Sequence, residues 1–206
     1  AVVKAEAIEA KERFADERRT EICNVSGEVD IEDLIPEEES VYTLTNKGYL
    51  KRMPADTYRS QRRGGRGVMG MTRREEDFVQ TMFTCSTHDY IMFFTSFGKA
   101  YKLKGYEIPE ANRTARGRAV VNIVQLDPGE KIETVLPVKE DGSGFLIMAT
   151  QKGLIKKTST DEFKRIPKNG KIAIKLPDED RLIGVRFTTG DNEILIASRG
   201  GKCIRF

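Results

Sequence analysis

A repeat with a period near 50 residues constrains the fold of this 206-residue chain more than any other feature. Each copy has a short β-branched or aromatic run, then Thr or Ser, two variable residues and a glycine. The glycines follow one another at intervals of 50, 55 and 48, and they are Gly48, Gly98, Gly153 and Gly201. A cation lies four positions beyond each of them, at Arg52, Lys102, Lys157 and Arg205. Repeats of this length are typical of propeller-like β architectures.

Each copy of the repeat predicts a β-hairpin. A three-residue hairpin connection places its last residue in the left-handed backbone region, where glycine has no Cβ penalty. Further strand-like runs lie between the hairpins, at residues 120–126, 131–138, 172–176 and 181–187. The predicted fold is therefore mainly β, an array of four-stranded, propeller-like blades preceded by one short helix.

Residues 1–40 differ in amino-acid composition from the repeat. Residues 1 to about 22 are rich in Ala, Glu, Lys and Arg and contain no helix breaker, which predicts a helix. Its apolar stripe is thin, so we expect it to pack on something outside this fragment. The acidic run that ends at Glu39 predicts a solvated connector. The predicted organisation is a helical segment at 1–24, an acidic connector at 25–40 and a β domain at 41–206, with about three blades and part of a fourth.

Charge divides the chain in the same way. The net charge is +3, yet residues 1–45 hold 5 of the 35 basic side chains and 13 of the 32 acidic ones. Residues 46–206 therefore hold 30 basic and 19 acidic side chains, a net charge of +11. Such a division predicts a basic body that binds something acidic, beside an acidic segment that does not.

Several functional classes find no support in the sequence. Cys23, Cys85 and Cys203 are odd in number and far apart, so neither a disulfide framework nor a zinc site is expected, which fits a cytoplasmic protein. No apolar run is long enough to span a membrane, and the first residues lack the pattern of a signal peptide. His88 is the only histidine and is expected in a turn, and the glycines do not form an ATP-binding P-loop. We expect Asp77 to belong to a surface mixture of charges.

The most unusual segment is the heptapeptide at residues 61–67, Gln-Arg-Arg-Gly-Gly-Arg-Gly. Glycines let a backbone come close to a partner, and arginines suit phosphate oxygens. Segments 111–117 and 164–170 hold the equivalent place in the next two copies, and all three end in glycine. That shared glycine predicts a backbone turn needed in every copy. Gly64 and Gly65 occur in the first copy alone, which indicates a specialised contact.

The heptapeptide, the repeat and the acidic connector at 30–36 together resemble the A subunits of DNA gyrase. The resemblance covers essentially the whole chain, from the end of the helical stalk at residues 16–22 into the C-terminal DNA-wrapping domain. The heptapeptide is similar to the box that defines these subunits, with Arg66 where Lys is also familiar. The resemblance implies a β-pinwheel, a disc of four-stranded blades around whose basic perimeter double-stranded DNA bends in one handedness. Wrapping of that kind lets gyrase introduce negative supercoils.

The resemblance also implies what lies elsewhere. The family's DNA-cleaving tyrosine, its ATP and Mg²⁺ sites, and its contacts with the gyrase B subunit, as well as with a second A subunit, belong to other parts of the parent enzyme. We therefore expect no catalytic residue, no cofactor and no metal in this chain. The family disc usually has six blades, whereas this chain ends within a fourth repeat.

The predicted DNA-binding residues fall into two groups. The close backbone approach is assigned to Gln61, Arg62, Arg63, Gly64, Gly65, Arg66 and Gly67. The basic perimeter is assigned to Arg52, Lys102, Arg113, Arg116, Arg118, Lys156, Lys157, Lys168, Lys171, Lys202 and Arg205. Three alternatives stay open. They are the matching domain of topoisomerase IV, a propeller that binds a protein partner, and an enzyme with its active site in a propeller channel.

Overall fold

A computed structural model describes residues 2–16, 31–57, 77–139 and 142–205 of the chain. The heptapeptide at 61–67 and residues 25–30 of the acidic connector lie outside the described residues. The chain divides into two compact units, Ala1–Leu34 and Ile35–Phe206.

The first unit contains the helix α1, Val2–Phe14, and the 3-10 turn Ile31–Leu34. Lys11 and Arg13 lie in the last turn of α1, where cations complement the partial negative charge of a helix C-terminus. No residue of α1 is buried, in keeping with its thin apolar stripe. The predicted boundaries at residues 24 and 40 stay predictions.

The second unit is built from short strands. In chain order they are β1 (Glu39–Thr45), β2 (Tyr49–Pro54), β3 (Val79–Ser86), β4 (Tyr90–Thr95), β5 (Lys99–Lys104), β6 (Arg118–Ala119), β7 (Ile132–Val138), β8 (Phe145–Thr150), β9 (Ile155–Ser159), β10 (Lys171–Ile172), β11 (Leu182–Thr188), β12 (Leu195–Ala197) and β13 (Cys203–Arg205). Four 3-10 turns join them, at Ala55–Thr57, Gly105–Glu107, Val120–Asn122 and Thr160–Phe163.

The strands form four antiparallel sheets, one for each copy of the repeat. Their strand orders are β3-β1-β2-β6, β10-β5-β4-β7, β11-β8-β9 and β12-β13, and we call them blades one to four. The sequence predicts blades of four strands, and the first two blades have them. Their fourth strands come from the following repeat, because β6 pairs with β2 and β10 pairs with β5. Each exchanged strand therefore joins one blade to the next.

The hairpin turns have the predicted geometry. The last loop glycine has φ of 78° at Gly48, 77° at Gly98, 89° at Gly153 and 78° at Gly201. The Thr or Ser of the motif also has a structural role, because its hydroxyl accepts a bond from the backbone N–H four positions on. In the first two hairpins these bonds run from Tyr49 N to Thr45 Oγ1 at 3.1 Å and from Lys99 N to Thr95 Oγ1 at 3.2 Å.

One of the four additional strand predictions is wrong, and another is wrong in part. Within 120–126 there is no strand, because Val120 N donates to Gly48 O at 2.8 Å and the chain then turns as the 3-10 turn Val120–Asn122. Within 172–176 only Ile172 is in a strand. The apolar residues there, such as Val124 and Ile174, are buried in the core instead of lying in a ladder. Strands β7 and β11 confirm the other two predictions.

Two hydrophobic clusters lie between successive blades. Strand β4 belongs to both, because Ile91 and Phe93 pack into the cluster shared with blade one, while Met92 and Phe94 pack into the cluster shared with blade three. A strand with both faces buried is apolar at nearly every position. This is why β4 reads Tyr-Ile-Met-Phe-Phe-Thr with no alternation.

Candidate nucleic-acid interface

The basic loops lie at one edge of the blades. Strands β3, β7 and β11 form the opposite edge of their sheets. Strand β7 contacts both β3 and β11. Val185 N of β11 donates to Thr134 Oγ1 of β7 at 3.2 Å. Since these strands converge, they mark the centre of the array, and β6 and β10 mark its periphery. Loops 111–117 and 164–170 run directly into β6 and β10 and are therefore peripheral.

The loop 111–117 lies along β2 of the preceding blade. Arg52 N donates to Pro109 O at 3.1 Å, and Ala111 N donates to Arg52 O at 3.1 Å. Beyond the loop, β6 continues the pairing with β2. The basic loop of the second repeat is thus built on the first blade.

The glycine that ends each loop has the predicted backbone role. Gly117 has φ of 89° and Gly170 has φ of 83°, both in the left-handed region. A Cβ on Gly117 would lie 2.5 Å from the carbonyl oxygen of Leu50, and one on Gly170 would lie 2.8 Å from the Tyr101 ring. Only glycine therefore fits either turn without a shift. The third copy, Gly67, is outside the described residues.

A buried lysine that the sequence did not single out supports the loop 111–117. Lys51 in β2 is 1% exposed, and its Nζ donates to the carbonyl oxygens of Asn112, Arg113 and Ala115 at 3.4, 2.7 and 3.0 Å. Burial lowers the pKa of the Lys51 ammonium, while hydrogen bonds to its charged form oppose that change. The only sequence signal is a Lys inside an otherwise buried strand.

Three predicted perimeter cations belong to this region. Arg113, Arg116 and Arg118 are all exposed. The Arg116 guanidinium lies 3.6 Å from the centroid of the Tyr49 ring, a cation–π distance, and its Nε lies 3.9 Å from Oδ2 of Asp77. The loop brings these three arginines together, and Tyr49 orients one of them.

The second basic loop borders a shallow cavity of about 430 Å³. Its lining is Tyr90, Lys102, Lys164, Arg165, Ile166 and Pro167. Lys102 Nζ lies 3.6 Å from the centroid of the Tyr90 ring and donates to Lys164 O at 3.2 Å. Lys168 is exposed nearby in the same loop. Lys164 pairs with Asp161 at 2.7 Å, and the hydrogen bond between them raises the pKa of Lys164 and lowers that of Asp161.

The other perimeter lysines contact backbone carbonyls. Lys156 Nζ donates to Ala173 O at 2.7 Å, and Lys157 Nζ donates to Gly190 O at 3.0 Å. Lys171 Nζ donates to Glu162 O. Because each of these ammonium groups already donates to a backbone carbonyl, each has fewer N–H groups available for a bound phosphate.

The fourth hairpin holds the last two predicted cations. Lys202 is exposed, and Arg205 pairs with Glu193 at 2.6 Å while remaining 67% exposed. This hairpin has two strands in the described part of the chain.

Arg52 is held inward, unlike the other perimeter candidates. Its side chain is 13% exposed and lies 3.2 Å from Glu38 and 3.5 Å from Glu110. Its Nε also donates to Ile108 O at 3.3 Å. A guanidinium with these partners offers little surface to a phosphate. Its position favours a role in holding neighbouring segments together.

Comparison with known proteins decides the family. Over the segments 39–86, 89–139 and 144–189, more than half of the chain, the sequence matches the family described as DNA gyrase C-terminal domain, beta-propeller. The chain belongs to this family.

Similar proteins agree. The DNA gyrase A subunit of Clostridium acetobutylicum is 53% identical over 207 residues, and that of Staphylococcus epidermidis is 50% identical over 209 residues. Both comparisons cover 100% of this chain but 25% and 23% of the relatives, so the chain spans about a quarter of their length. The resemblance to the gyrase A subunits seen in the sequence is confirmed.

Solved structures share the fold. The structure of a DNA gyrase A C-terminal domain matches with a TM-score of 0.61 at 27% identity, over 82% of this chain and 54% of that one. The C-terminal domain of DNA topoisomerase IV matches with a TM-score of 0.70 at 24% identity, over 83% and 52%. The predicted propeller-like fold is confirmed.

Within this gyrase-type domain, the end of the acidic connector differs from a solvated linker. Its residues 35–39 bond to the turn that joins β3 to β4. Thr87 N donates to Glu38 O at 2.9 Å, and Glu38 N donates to Thr87 Oγ1 at 3.1 Å. His88 lies in that turn, as predicted, and its Nε2 is 2.9 Å from Ile35 O. Glu37, Glu38 and Glu39 line a cavity of about 590 Å³ together with Asp89, so this side of the blade is acidic.

The gyrase-type blades share a buried carboxylate that the sequence interpretation missed. Asp77, Glu130 and Asp180 are 5%, 7% and 7% exposed, and each lies just before the inner strand of its blade. The prediction that Asp77 belongs to a surface charge mixture is therefore wrong. Glu130 accepts from Thr95 Oγ1 at 2.5 Å, and Asp180 accepts from Lys152 N at 3.0 Å. Burial opposes ionisation of Asp180, but bonds from Thr150, Lys152 and Arg181 hold its pKa below the ordinary value.

Two further observations concern only the described ranges. No group of three or more His, Cys, Asp or Glu in them could hold a metal ion. No helix among them is both long and apolar enough to cross a membrane.

Proposed function

We propose that this chain binds double-stranded DNA and wraps it chirally around the outer edges of its blades. One observation carries the proposal: two basic loops, 111–117 and 164–170, occupy equivalent peripheral positions on successive blades. Exposed cations in and beside them include Arg113, Arg116, Arg118, Arg165 and Lys168.

The physics of DNA bending supports this use of the periphery. Phosphate contacts position a duplex without reading its sequence. Smooth bending of a 20–30 base-pair site costs about 1–6 kcal/mol. Cations repeated along a curved edge offset that cost by releasing condensed counterions, so affinity falls steeply with salt. Successive blades repeat exposed cations at their outer edges, which supports this use.

The finer assignment is the C-terminal domain of a DNA gyrase A subunit, which is part of a type II topoisomerase that adds negative supercoils. The heptapeptide 61–67 supports it, because Gly64 and Gly65 have no counterpart in the other two loops. We assign to it the closest approach to the duplex. The proposal places the gyrase B subunit, a second A subunit, ATP and Mg²⁺ with the remainder of the parent enzyme, which acts in the cytoplasm, and assigns no cofactor or catalytic residue to this chain.

The test is ligation of a nicked circular DNA in the presence of the protein, followed by counting the shift in linking number. We expect a salt-sensitive shift of one consistent sign. Replacing residues 61–66 by alanines, with the predicted turn glycine Gly67 retained, should abolish the shift while leaving the melting temperature nearly unchanged. A matched control removes three exposed cations from the central edge, in the variant Lys131→Ala/Lys139→Ala/Arg181→Ala, and should retain the shift.

Other outcomes separate the alternatives. Binding without a linking-number shift would indicate a surface that does not bend DNA, as in a role like that of topoisomerase IV. The absence of DNA binding would contradict the proposal and favour a propeller that binds a protein partner. An unchanged shift in the alanine variant would show that the heptapeptide has no special part.

A further inference from the structure

The buried ammonium of Lys51 donates hydrogen bonds to three backbone carbonyls of loop 111–117. Three of the carbonyl groups between residues 112 and 115 point towards one Nζ atom. Ala115 N also donates inward, to Asn112 O at 3.0 Å. The inner side of this turn is therefore occupied by the lysine and by one backbone hydrogen bond.

Peptide geometry determines what the outer side presents. In a planar trans peptide the C=O of one residue and the N–H of the next point in opposite directions. Since the carbonyls of residues 112, 113 and 115 face Lys51, the N–H groups of Arg113, Thr114 and Arg116 face away from it. None of these three N–H groups has an acceptor within the described part of the chain. Successive N–H groups in a turn form a concavity that binds anions.

Charged side chains flank those N–H groups. Arg113 and Arg116 belong to the same turn and are exposed, as is Thr114. The Tyr49 ring fixes the Arg116 guanidinium beside the loop at 3.6 Å. A group that accepts from the backbone here would bind in a turn that also carries two exposed arginines, and arginine is well suited to phosphate oxygens.

The junction of blades one and two differs in this respect from the junction of blades two and three. The position of Lys51, three positions after the hairpin glycine, is Tyr101 in the second repeat and Lys156 in the third. Tyr101 Oη donates to Gln125 O, and Lys156 Nζ donates to Ala173 O. Neither reaches a loop carbonyl of the kind that Lys51 binds.

We infer that Lys51 is a positioning residue that shapes segment 112–116 into a phosphodiester-binding site. The backbone N–H groups of Arg113, Thr114 and Arg116 and the two guanidiniums hold one phosphate of the duplex. Lys51 itself does not touch the phosphate. This inference rests on the proposed function, since the phosphate belongs to wrapped DNA.

The test is NMR of the backbone amides in the full chain during titration with a short duplex. We expect downfield amide proton shifts at Arg113, Thr114 and Arg116, with Ala115 as an internal reference because its N–H bonds inward. Inorganic phosphate serves as a second probe, and shifts that appear with it but not with the duplex would overturn the assignment to the DNA backbone.

Variants separate positioning from direct contact. Lys51→Met removes the ammonium at similar volume and should abolish the three amide shifts. Lys104→Met is the matched control, because Lys104 is also buried and donates to one backbone carbonyl, that of His88, away from this loop. Gly117→Ala displaces the loop without removing a charge and should give the same loss as Lys51→Met, which keeps the test valid if that variant folds poorly.

The salt dependence of affinity supplies a second readout. A plot of log affinity against log salt has a negative slope, and one lost phosphate contact decreases the magnitude of that slope by about 1. We expect a decrease of that size in Lys51→Met. The triple variant Lys51→Met/Arg113→Ala/Arg116→Ala should show no decrease beyond that of Arg113→Ala/Arg116→Ala. A decrease in the triple variant equal to the sum of the decreases in Lys51→Met and in Arg113→Ala/Arg116→Ala would show that Lys51 acts separately and would overturn the inference. If the chain binds DNA but the amide proton shifts of residues 113, 114 and 116 do not change, the inference is overturned and the proposed function stands. If the unaltered chain does not bind DNA at all, both are refuted.

Discussion

At the scale of single residues, buried polar groups explain features that spacing alone conceals. Asp77, Glu130 and Asp180 fill one structural role, yet they follow their hairpin glycines at unequal intervals of 29, 32 and 27. Because the intervening loops differ in length, no fixed period reveals them. A carboxylate in this position accepts bonds from the hairpin turn of its own blade, so it links the inner strand to that turn.

The buried carboxylate of blade two yields a stability prediction. Glu130→Gln should lower the free energy of unfolding by about 1–3 kcal/mol, because an amide cannot accept from both Thr95 Oγ1 and Asp127 N as the carboxylate does. Urea unfolding measures the change. Glu133→Gln makes the same substitution at a more exposed site three positions on, and should change the free energy by much less. Equal effects at the two positions would contradict the role given to Glu130.

Lys51 and Arg52 show how far a cation's function depends on which way its strand faces. They are neighbours in β2, and the repeat marks Arg52 as part of a basic perimeter. The alternation of a strand points them to opposite sides of the sheet. Lys51 donates to loop carbonyls, and Arg52 forms ion pairs with two carboxylates. Neither side chain is therefore exposed to solvent as that of Arg113 is. Sequence spacing identifies the cations but not their partners.

At the scale of elements, the hairpins were predictable and the exchanged segments were not. A left-handed glycine after two loop residues is a local requirement, and all four copies meet it. The runs at 120–126 and 172–176 contain apolar residues that are buried in the core. A short apolar run of this kind has the same sequence pattern as a buried strand. Pairing of β6 and β10 with a different repeat depends on tertiary contacts, so no local pattern specifies it.

Two hairpin glycines offer a matched comparison of backbone strain and crowding. Gly98 and Gly153 both have positive φ, so alanine at either should cost about 1–2 kcal/mol of stability. A Cβ on Gly98 would also lie 2.5 Å from Ile174 O, whereas Gly153 has open space around it. Gly98→Ala should therefore be clearly the more destabilising in thermal unfolding. Equal losses would contradict close packing of residue 174 on the second hairpin.

At the scale of the whole molecule, the two four-stranded blades are not independent units. Blade one is completed by a strand of the second repeat, and blade two by a strand of the third. Hydrophobic clusters also span each junction. We expect these blades to unfold together, unlike repeat arrays that touch only through their faces.

Thiol labelling can test that cooperativity. Cys85 in β3 is buried, and burial together with the charge of Asp89 raises its pKa to about 12, so at pH 8 it stays a protonated and unreactive thiol. Cys203 is exposed and should react at once. In a Cys23→Ser background, Cys85 should become reactive at the same urea concentration at which circular dichroism reports loss of the sheets. Reaction of Cys85 at clearly lower urea would show that blade one opens alone.

Strand exchange also has a mechanical consequence. The segment that enters β6 is anchored to β2 on blade one, and the same chain continues into β7 on blade two. An outward pull on loop 111–117 is therefore resisted by two sheets at once. Tension from a stiff polymer held at this edge would therefore be shared between adjacent blades.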